Sequence, residues 1–429
     1  MKLLKKLFNE NMLLKVTSMN AVGVLVRIVA GFITQKAIAV FVGPQGMGVV
    51  GNFRDFLAAV QSVSTLGITN GIVKYVAEFK KETNKLSQVL STSLILIIGA
   101  SSVSAVVIFF TASYWNSSIF GEKYDFTTII QVCALAIPIY ALNFLLVAII
   151  NGYSKYKEFI GINIVSNIAG VVVTVVLMWQ FHLEGAIYAV LVAPLLAFVV
   201  TIGFIYKKRG KLQLFSLENG KVDSLKKLSS YAIMALLSTL ALPVVRIAIR
   251  DYIAEIEDEV AVGYWEAMNR LSNFYLMFIT TLMTLYVLPK LSGINSNKGF
   301  RIEVANFYKT ILPLFAAGLL LVYFLRNFVI NVLLTTQFAP MEPLFVWQLS
   351  GDLFKVASMV IAYQFLAKNM FWYYVISEII SLAIIYASSI FLISRYGFVG
   401  ASMAHLFSFV LYFFMVVFIL RKKLFSKET

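Results

Sequence analysis

Apolar residues in this chain run on for about twenty at a stretch and are broken by short polar segments, so the pattern matches neither the alternation of a strand nor the one-sided stripe of a soluble helix. A run of about 20 apolar residues is what a helix needs to cross a bilayer. Twelve such runs lie at about 17–42, 49–72, 88–112, 126–150, 160–181, 185–206, 228–250, 261–288, 306–334, 342–366, 371–394 and 398–420. They predict an all-α integral membrane protein with about twelve transmembrane helices. Arg326 and Asn327 interrupt the ninth run. A membrane barrel would show short alternating segments instead, and the runs are long and continuous.

The polar segments between the runs carry a strong bias in sign. With the N-terminus inside, the inside segments hold 25 of the Lys and Arg residues and the outside segments only Lys123, Arg326 and Arg395. The outside segment after the seventh run is acidic, with Asp251, Glu255, Glu257, Asp258 and Glu259. Positive charge collects on the cytoplasmic side of membrane proteins, so both termini are expected in the cytoplasm. The longest inside segment falls midway. It divides the chain into a cytosolic amphipathic N-terminus (1–16), an N-terminal six-helix lobe (17–206), a basic inter-lobe loop (207–227), a C-terminal six-helix lobe (228–420) and a basic tail (421–429). The halves echo each other. Arg27 precedes Gly48-Val49-Val50-Gly51-Asn52-Phe53-Arg54, much as Arg246 precedes Gly263-Tyr264-Trp265-Glu266-Ala267-Met268-Asn269-Arg270.

Composition agrees: 60% of the 429 residues are hydrophobic, 13% are charged, and mean hydropathy is +0.85. The net charge of +15 would suit a nucleic-acid partner, but its placement in short loops assigns it to orientation, and no nucleic acid is expected. Cys133 is the sole cysteine and His182 and His405 the only histidines, which leaves a Cys/His metal site without ligands; all three read as packing or loop residues. Gly46-Met47-Gly48-Val49-Val50-Gly51 fits G-x-G-x-x-G but lacks the strand that a dinucleotide site requires, and no P-loop sequence occurs. No cofactor is expected.

The chemistry lies in eight basic residues within the apolar runs: Arg27, Lys36, Arg54, Arg246, Arg250, Arg270, Lys309 and Lys355. Each would cost about 2.5–3.5 kcal/mol at the centre of a lipid-facing helix, so some belong at helix ends and the rest face a protein interior or a water-filled cavity. A basic cavity suits an anionic cargo. Gln348, Asp352 and Lys355 fall on one face of their helix, where Asp352 and Lys355 can pair. Glu266, Arg270 and Asn273 form a second such stripe. Arg246 and Arg250 share a face, with Asp251 able to satisfy Arg250 at the outer end, which leaves Arg246 as the deeper candidate behind Pro243. Arg27 is preferred over Lys36 on the first helix. Arg54 has Asp55 beside it, and Lys309 lies near an inner end. Trp179, Trp265 and Trp347 are placed where aromatic faces could stack on sugar rings.

Three segments resemble the Wzx flippases, the O-antigen and enterobacterial common antigen (lipid III) translocases of the multidrug/oligosaccharidyl-lipid/polysaccharide exporter superfamily. They are Phe41-Val42-Gly43-Pro44-Gln45-Gly46-Met47-Gly48, Asn70-Gly71-Ile72-Val73-Lys74-Tyr75-Val76-Ala77, and Phe345-Val346-Trp347-Gln348-Leu349-Ser350-Gly351-Asp352-Leu353-Phe354-Lys355-Val356. The resemblance implies two six-helix lobes forming a V around a central cationic cavity, and a bacterial inner-membrane location. It implies an undecaprenyl diphosphate-linked oligosaccharide as cargo, moved from the inner to the outer leaflet, and as further partners the polymerase and chain-length proteins of the same pathway. The expected role is therefore transport rather than catalysis. Arg27, Arg54, Arg246, Arg270 and Lys355 would bind the diphosphate or acidic sugars, while Asp352, Glu266, Gln348, Arg250 and Lys36 would gate or tune those charges. Coupling to an H⁺ or Na⁺ gradient stays open, with Asp55, Glu266 and Asp352 as candidates. Two alternatives stand beside this reading. A cation-coupled multidrug antiporter of the same superfamily would want acids where helices 1 and 7 carry bases. A membrane-embedded glycan polymerase or transferase would want larger outer loops.

Overall fold

The computed structural model describes residues 12–121, 123–207 and 240–425. Among them the chain is helical, with no strand. In order, α1 is Met12–Phe41, α2 Gly43–Ser64, α3 Thr69–Phe79, α4 Thr83–Phe110, α5 Ala112–Phe120, α6 Thr127–Gly152 and α7 Tyr156–Lys207. Then come α8 at 240–256, α9 Glu259–Leu282, a π turn Met283–Val287 and α10 Leu288–Gly293. The chain continues with α11 Asn297–Phe324, α12 Arg326–Leu333, a 3₁₀ turn Thr336–Met341, α13 Leu344–Ala367, α14 Phe371–Tyr396, α15 Phe398–Ile419 and α16 Arg421–Phe425.

Nine helices among the described residues are long and apolar enough to cross a membrane. One of them, α7, runs for 52 residues and contains a break at His182, whose φ of 50° is not helical. It therefore supplies both the fifth and the sixth predicted spans, whose boundary (181 to 185) brackets that histidine. The ninth predicted run divides into α11 and α12 where Arg326 interrupts it. The seventh run lies mostly outside the described residues, with α8 holding its end. Large apolar side chains stand on the outer surface, including Phe110, Leu135, Trp179, Leu314, Phe324 and Phe418, the arrangement of a protein whose solvent is lipid. This is a multi-pass membrane protein.

The chain divides into two compact units, Met1–Thr34 with Asn52–Val244 and Gln35–Gly51 with Val245–Thr429. The segment Gln35–Gly51, which sequence order puts in the first lobe, thus clusters with the second unit. In the first unit α3, α4 and α6 enclose a core around Ile72, Val76, Leu90, Ile97, Leu145 and Ile149. Gly152 lets α6 close on Val76, where a Cβ would clash. Tyr140 Oη donates to the Leu191 carbonyl at 2.6 Å and Thr201 Oγ1 donates to Asn143 Oδ1 at 2.8 Å, pinning the second half of α7 to α6. In the second unit Leu276, Met283, Phe300, Phe307, Val356, Val360 and Phe365 form the main core. Ile249, Ile253, Trp265, Ile393 and Ala401 form another that seats α8 against α9, α14 and α15.

Candidate functional site

Within the second unit, charged side chains from α8 and α9 converge with Gln35 at the end of α1. The spacing of Glu266 and Arg270 puts them on one face of α9, and Arg270 Nε donates to Glu266 Oε1 at 3.0 Å, as their order predicts. Arg250 reaches the same carboxylate from α8, donating from Nη2 at 2.6 Å and from Nε at 3.2 Å to Oε2. Its exposure is 1%, and its guanidinium lies 5.8 Å from the Trp265 ring centre. Asp251, the partner expected from the sequence, is within electrostatic reach of Arg250, and Glu266 adds the hydrogen bonds that a buried guanidinium needs. Trp265 is buried against it rather than presented to a sugar. Arg270 Nη1 also donates to Gln35 Oε1 at 3.2 Å. Gly51 admits the carboxylate, since a Cβ there would stand 2.8 Å from the Glu266 carboxyl carbon.

The start of α2, up to Gly51, faces the start of α9 in this unit. A Cβ on Gly48 would strike Val262, and one on Gly263 would strike the Pro44 carbonyl. Two glycines of the G-x-G-x-x-G match, Gly48 and Gly51, thus lie where a Cβ would strike Val262 and Glu266 of α9.

A second cluster surrounds Asp352 on α13, whose carboxylate is fully buried. Ser272 Oγ donates to Oδ2 at 2.7 Å and Tyr275 Oη to the same oxygen at 2.5 Å, both from α9. His405 Nε2 on α15 stands 2.9 Å from Oδ1. One turn earlier, Ser402 Oγ donates to Gln348 Oε1 at 3.2 Å. Gly351 makes this possible: a Cβ there would strike His405 and the Leu406 backbone. Asp352 was expected to pair with Lys355. The lysine is within electrostatic reach, but hydrogen bonds to the carboxylate come from α9 and α15, while the Lys355 ammonium lies 5.1 Å over the Phe409 ring. Arg246 and Glu378 are also within electrostatic reach of Lys355.

Lys36 donates to the Asn331 and Leu334 carbonyls at the end of α12, within the same unit. It caps a helix there, for which cations are suited. Arg27 and Arg54 belong to the first unit, where Arg27 is exposed and Arg54 half-buried beside the buried Asp55. Asn52 Nδ2 anchors that stretch of α2 by donating to the Ile119 carbonyl at 3.1 Å.

Sequence reasoning missed Gln35, Ser272, Tyr275, Glu378 and His405. His405 carried a readable signal, because a histidine in an apolar helix needs a polar partner. Nothing in the sequence said that the partner would be Asp352, 53 residues away.

The comparisons bear on what this arrangement serves. Residues 13–295 match the family described as polysaccharide biosynthesis protein. The chain belongs to this family. It is 31% identical over 402 residues to the lipid III flippase of Escherichia coli strain K12, covering 94% of this chain and 96% of that one, and equally to the lipid III flippase of Shigella flexneri. Among solved structures it resembles an inward-facing multidrug resistance MATE family transporter of the MOP superfamily, with a TM-score of 0.73, 13% identity and coverage of 95% and 96%. It also resembles the lipid II flippase MurJ in an inward closed conformation, with a TM-score of 0.71, 14% identity and coverage of 95% and 87%. These structural likenesses establish the fold of the family member; its substrate must be argued from sequence kinship and site chemistry.

Proposed function

We propose that this protein is a flippase carrying an undecaprenyl diphosphate-linked oligosaccharide from the inner to the outer leaflet of the bacterial inner membrane by alternating access. The observation that carries the proposal is 31% identity to lipid III flippases along nearly the whole of both chains. The site chemistry supports it. Arg250 and Arg270 meet one carboxylate, so this hydrogen-bonded trio bears a surplus positive charge. Arg250 is the more deeply buried, whereas the Arg270 side chain keeps 12% exposure. A diphosphate is recognised by guanidinium and ammonium groups through charge-assisted, often bidentate bonds. Arg270 is assigned that contact, with Arg246 and Lys355 as further cations of the second unit; Arg27 and Arg54 are cargo candidates by the sequence resemblance. Glu266 sets the charge of Arg270. The lipid tail can remain in the bilayer while the polar head crosses.

The charge asymmetry of the loops supports cytoplasmic termini, and a role in surface-glycan assembly makes polymerase and chain-length proteins natural partners. The test is translocation of fluorescent undecaprenyl-diphosphate oligosaccharide in proteoliposomes, comparing wild type with Arg27→Ala, Arg246→Ala and Arg270→Ala. Loss in correctly folded variants supports a cationic path. Undiminished movement in all three overturns it, and an inert wild type overturns the cargo assignment.

A further inference from the structure

Four buried acids among the described residues are places where a driving ion could be held: Asp55, Glu266, Glu303 and Asp352. The surroundings of Glu266 and Asp352 differ in kind. Glu266 is gripped by two guanidiniums, which only donate hydrogen bonds. Both of its oxygens are thus engaged by groups that cannot accept a hydrogen bond in return. The partners of Asp352 are of another kind. Ser272 and Tyr275 present hydroxyls, each able to donate or accept, and they lie 2.8 Å from each other as well as against Oδ2. His405 presents a ring nitrogen whose role depends on its tautomer. Such a shell satisfies both the charged and the neutral carboxyl by turning hydroxyl hydrogens, with no heavy atom needing to move.

We propose that Asp352 is a proton-binding site that takes up and releases H⁺ during transport, with Ser272, Tyr275 and His405 as the shell that accommodates both forms. This assignment rests on the transport reading above and names the ion and the residue behind it. The reaction is Asp352–COO⁻ + H⁺ → Asp352–COOH, with the new O–H donating to the Tyr275 or Ser272 oxygen. A sodium ion fits poorly, since a hard cation wants several oxygen acceptors and here one carboxylate is faced partly by a ring nitrogen. The charged and titratable groups around Asp352 are Tyr275 from α9, His405 from α15 and Lys355 on α13 itself. Behind Lys355 stand Arg246 from α8 and Glu378 from α14. From α11, Tyr308 Oη donates to the Ala357 carbonyl at 2.7 Å.

The placement gives the proton something to act on. Asp352 is where α9, α13 and α15 are hydrogen-bonded together, so its charge bears on the packing of all three. It also lies within electrostatic reach of Lys355 one turn away. Protonation removes that negative charge, so the state of Asp352 and the field at Lys355 change together.

The experiment is an infrared pH titration of the full-length protein in lipid nanodiscs without cargo. It compares wild type, Asp352→Asn, Glu378→Gln and His405→Gln. The expected result is a reversible protonated-carboxyl band that vanishes in Asp352→Asn, persists in Glu378→Gln and titrates at a displaced pH in His405→Gln. A band that survives Asp352→Asn, or no band at all, overturns the proposal. If Asp352→Asn does not fold, His405→Gln decides alone: an unmoved midpoint overturns the site. A second arm applies a pH gradient to proteoliposomes holding fluorescent undecaprenyl-diphosphate oligosaccharide. The wild type should respond to the pH gradient and not to a sodium gradient, and Asp352→Asn should lose the response. Movement of the lipid indifferent to pH overturns proton coupling, whereas a wild type that moves no lipid defeats the transport reading and leaves the infrared assignment standing.

Discussion

Arg250 and Arg270 share Glu266: one guanidinium takes Oε2 at 2.6 Å from α8 while the other takes Oε1 at 3.0 Å from the next turn of α9. A single carboxylate thus holds two helices together and leaves the group cationic.

Removing the shared anion should therefore cost more than removing either cation. Glu266→Gln leaves two guanidiniums without their carboxylate and is expected to destabilise the protein by about 3–5 kcal/mol, the usual loss when a buried pair is broken on one side. Arg270→Ala should cost less, because Arg270 is the more accessible of the two arginines. Thermal unfolding of the purified variants in detergent checks the order; a Glu266→Gln protein as stable as Arg270→Ala would contradict the shared-anion account.

Transport should rank differently. Arg270→Ala is expected to lose translocation while retaining its fold, and Arg270→Lys to recover part of it, since an ammonium keeps the charge but not the bidentate geometry. Initial rates of lipid movement in proteoliposomes, normalised to inserted protein, give the comparison.

Gly263 faces the Pro44 carbonyl with no room for a Cβ. Gly263→Ala is expected to lower stability by about 1–3 kcal/mol, the usual cost of overpacking, because backbone cannot step aside as a flexible side chain can. Gly318, with nothing within 4 Å of a built Cβ, is the control, and Gly318→Ala should leave the unfolding temperature unchanged or slightly raised.

Lys36 was grouped by sequence with the charge-tuning residues, and its contacts are those of a helix cap. Lys36→Met should cost about 1–2 kcal/mol by freeing the last carbonyls of α12. It should leave the rate of lipid movement per folded molecule intact. A variant that folds normally but cannot transport would return Lys36 to the cargo path.

Topology can be checked directly, because the one native cysteine, Cys133, is buried. Cysteines introduced at the exposed positions Glu255 and Lys298 should react with membrane-impermeant thiol reagents from opposite sides, Glu255→Cys from outside and Lys298→Cys from inside.

The helix inventory was legible in the chain because crossing a bilayer imposes a local rule: every span must be long, apolar and internally hydrogen-bonded, and residues 83–110 or 398–419 meet it without reference to any other part of the protein. The pairing of Glu266 with Arg270 was legible for the same reason, being a contact within one turn of one helix. The partners of Arg250, Asp352 and Lys36 were not. Each lies on another helix, and a sequence carries no record of which faces will meet. Asp251 is adjacent to Arg250 in the chain, yet Glu266 takes its hydrogen bonds; Lys355 is one turn from Asp352, yet Ser272, Tyr275 and His405 surround the carboxylate. Burial decides such choices, because a charge removed from water must find close donors or acceptors wherever packing places them. The sequence by itself determined the class of the protein and most of its spans. Only the tertiary structure decided which of its charges are spent on one another and which remain for a ligand.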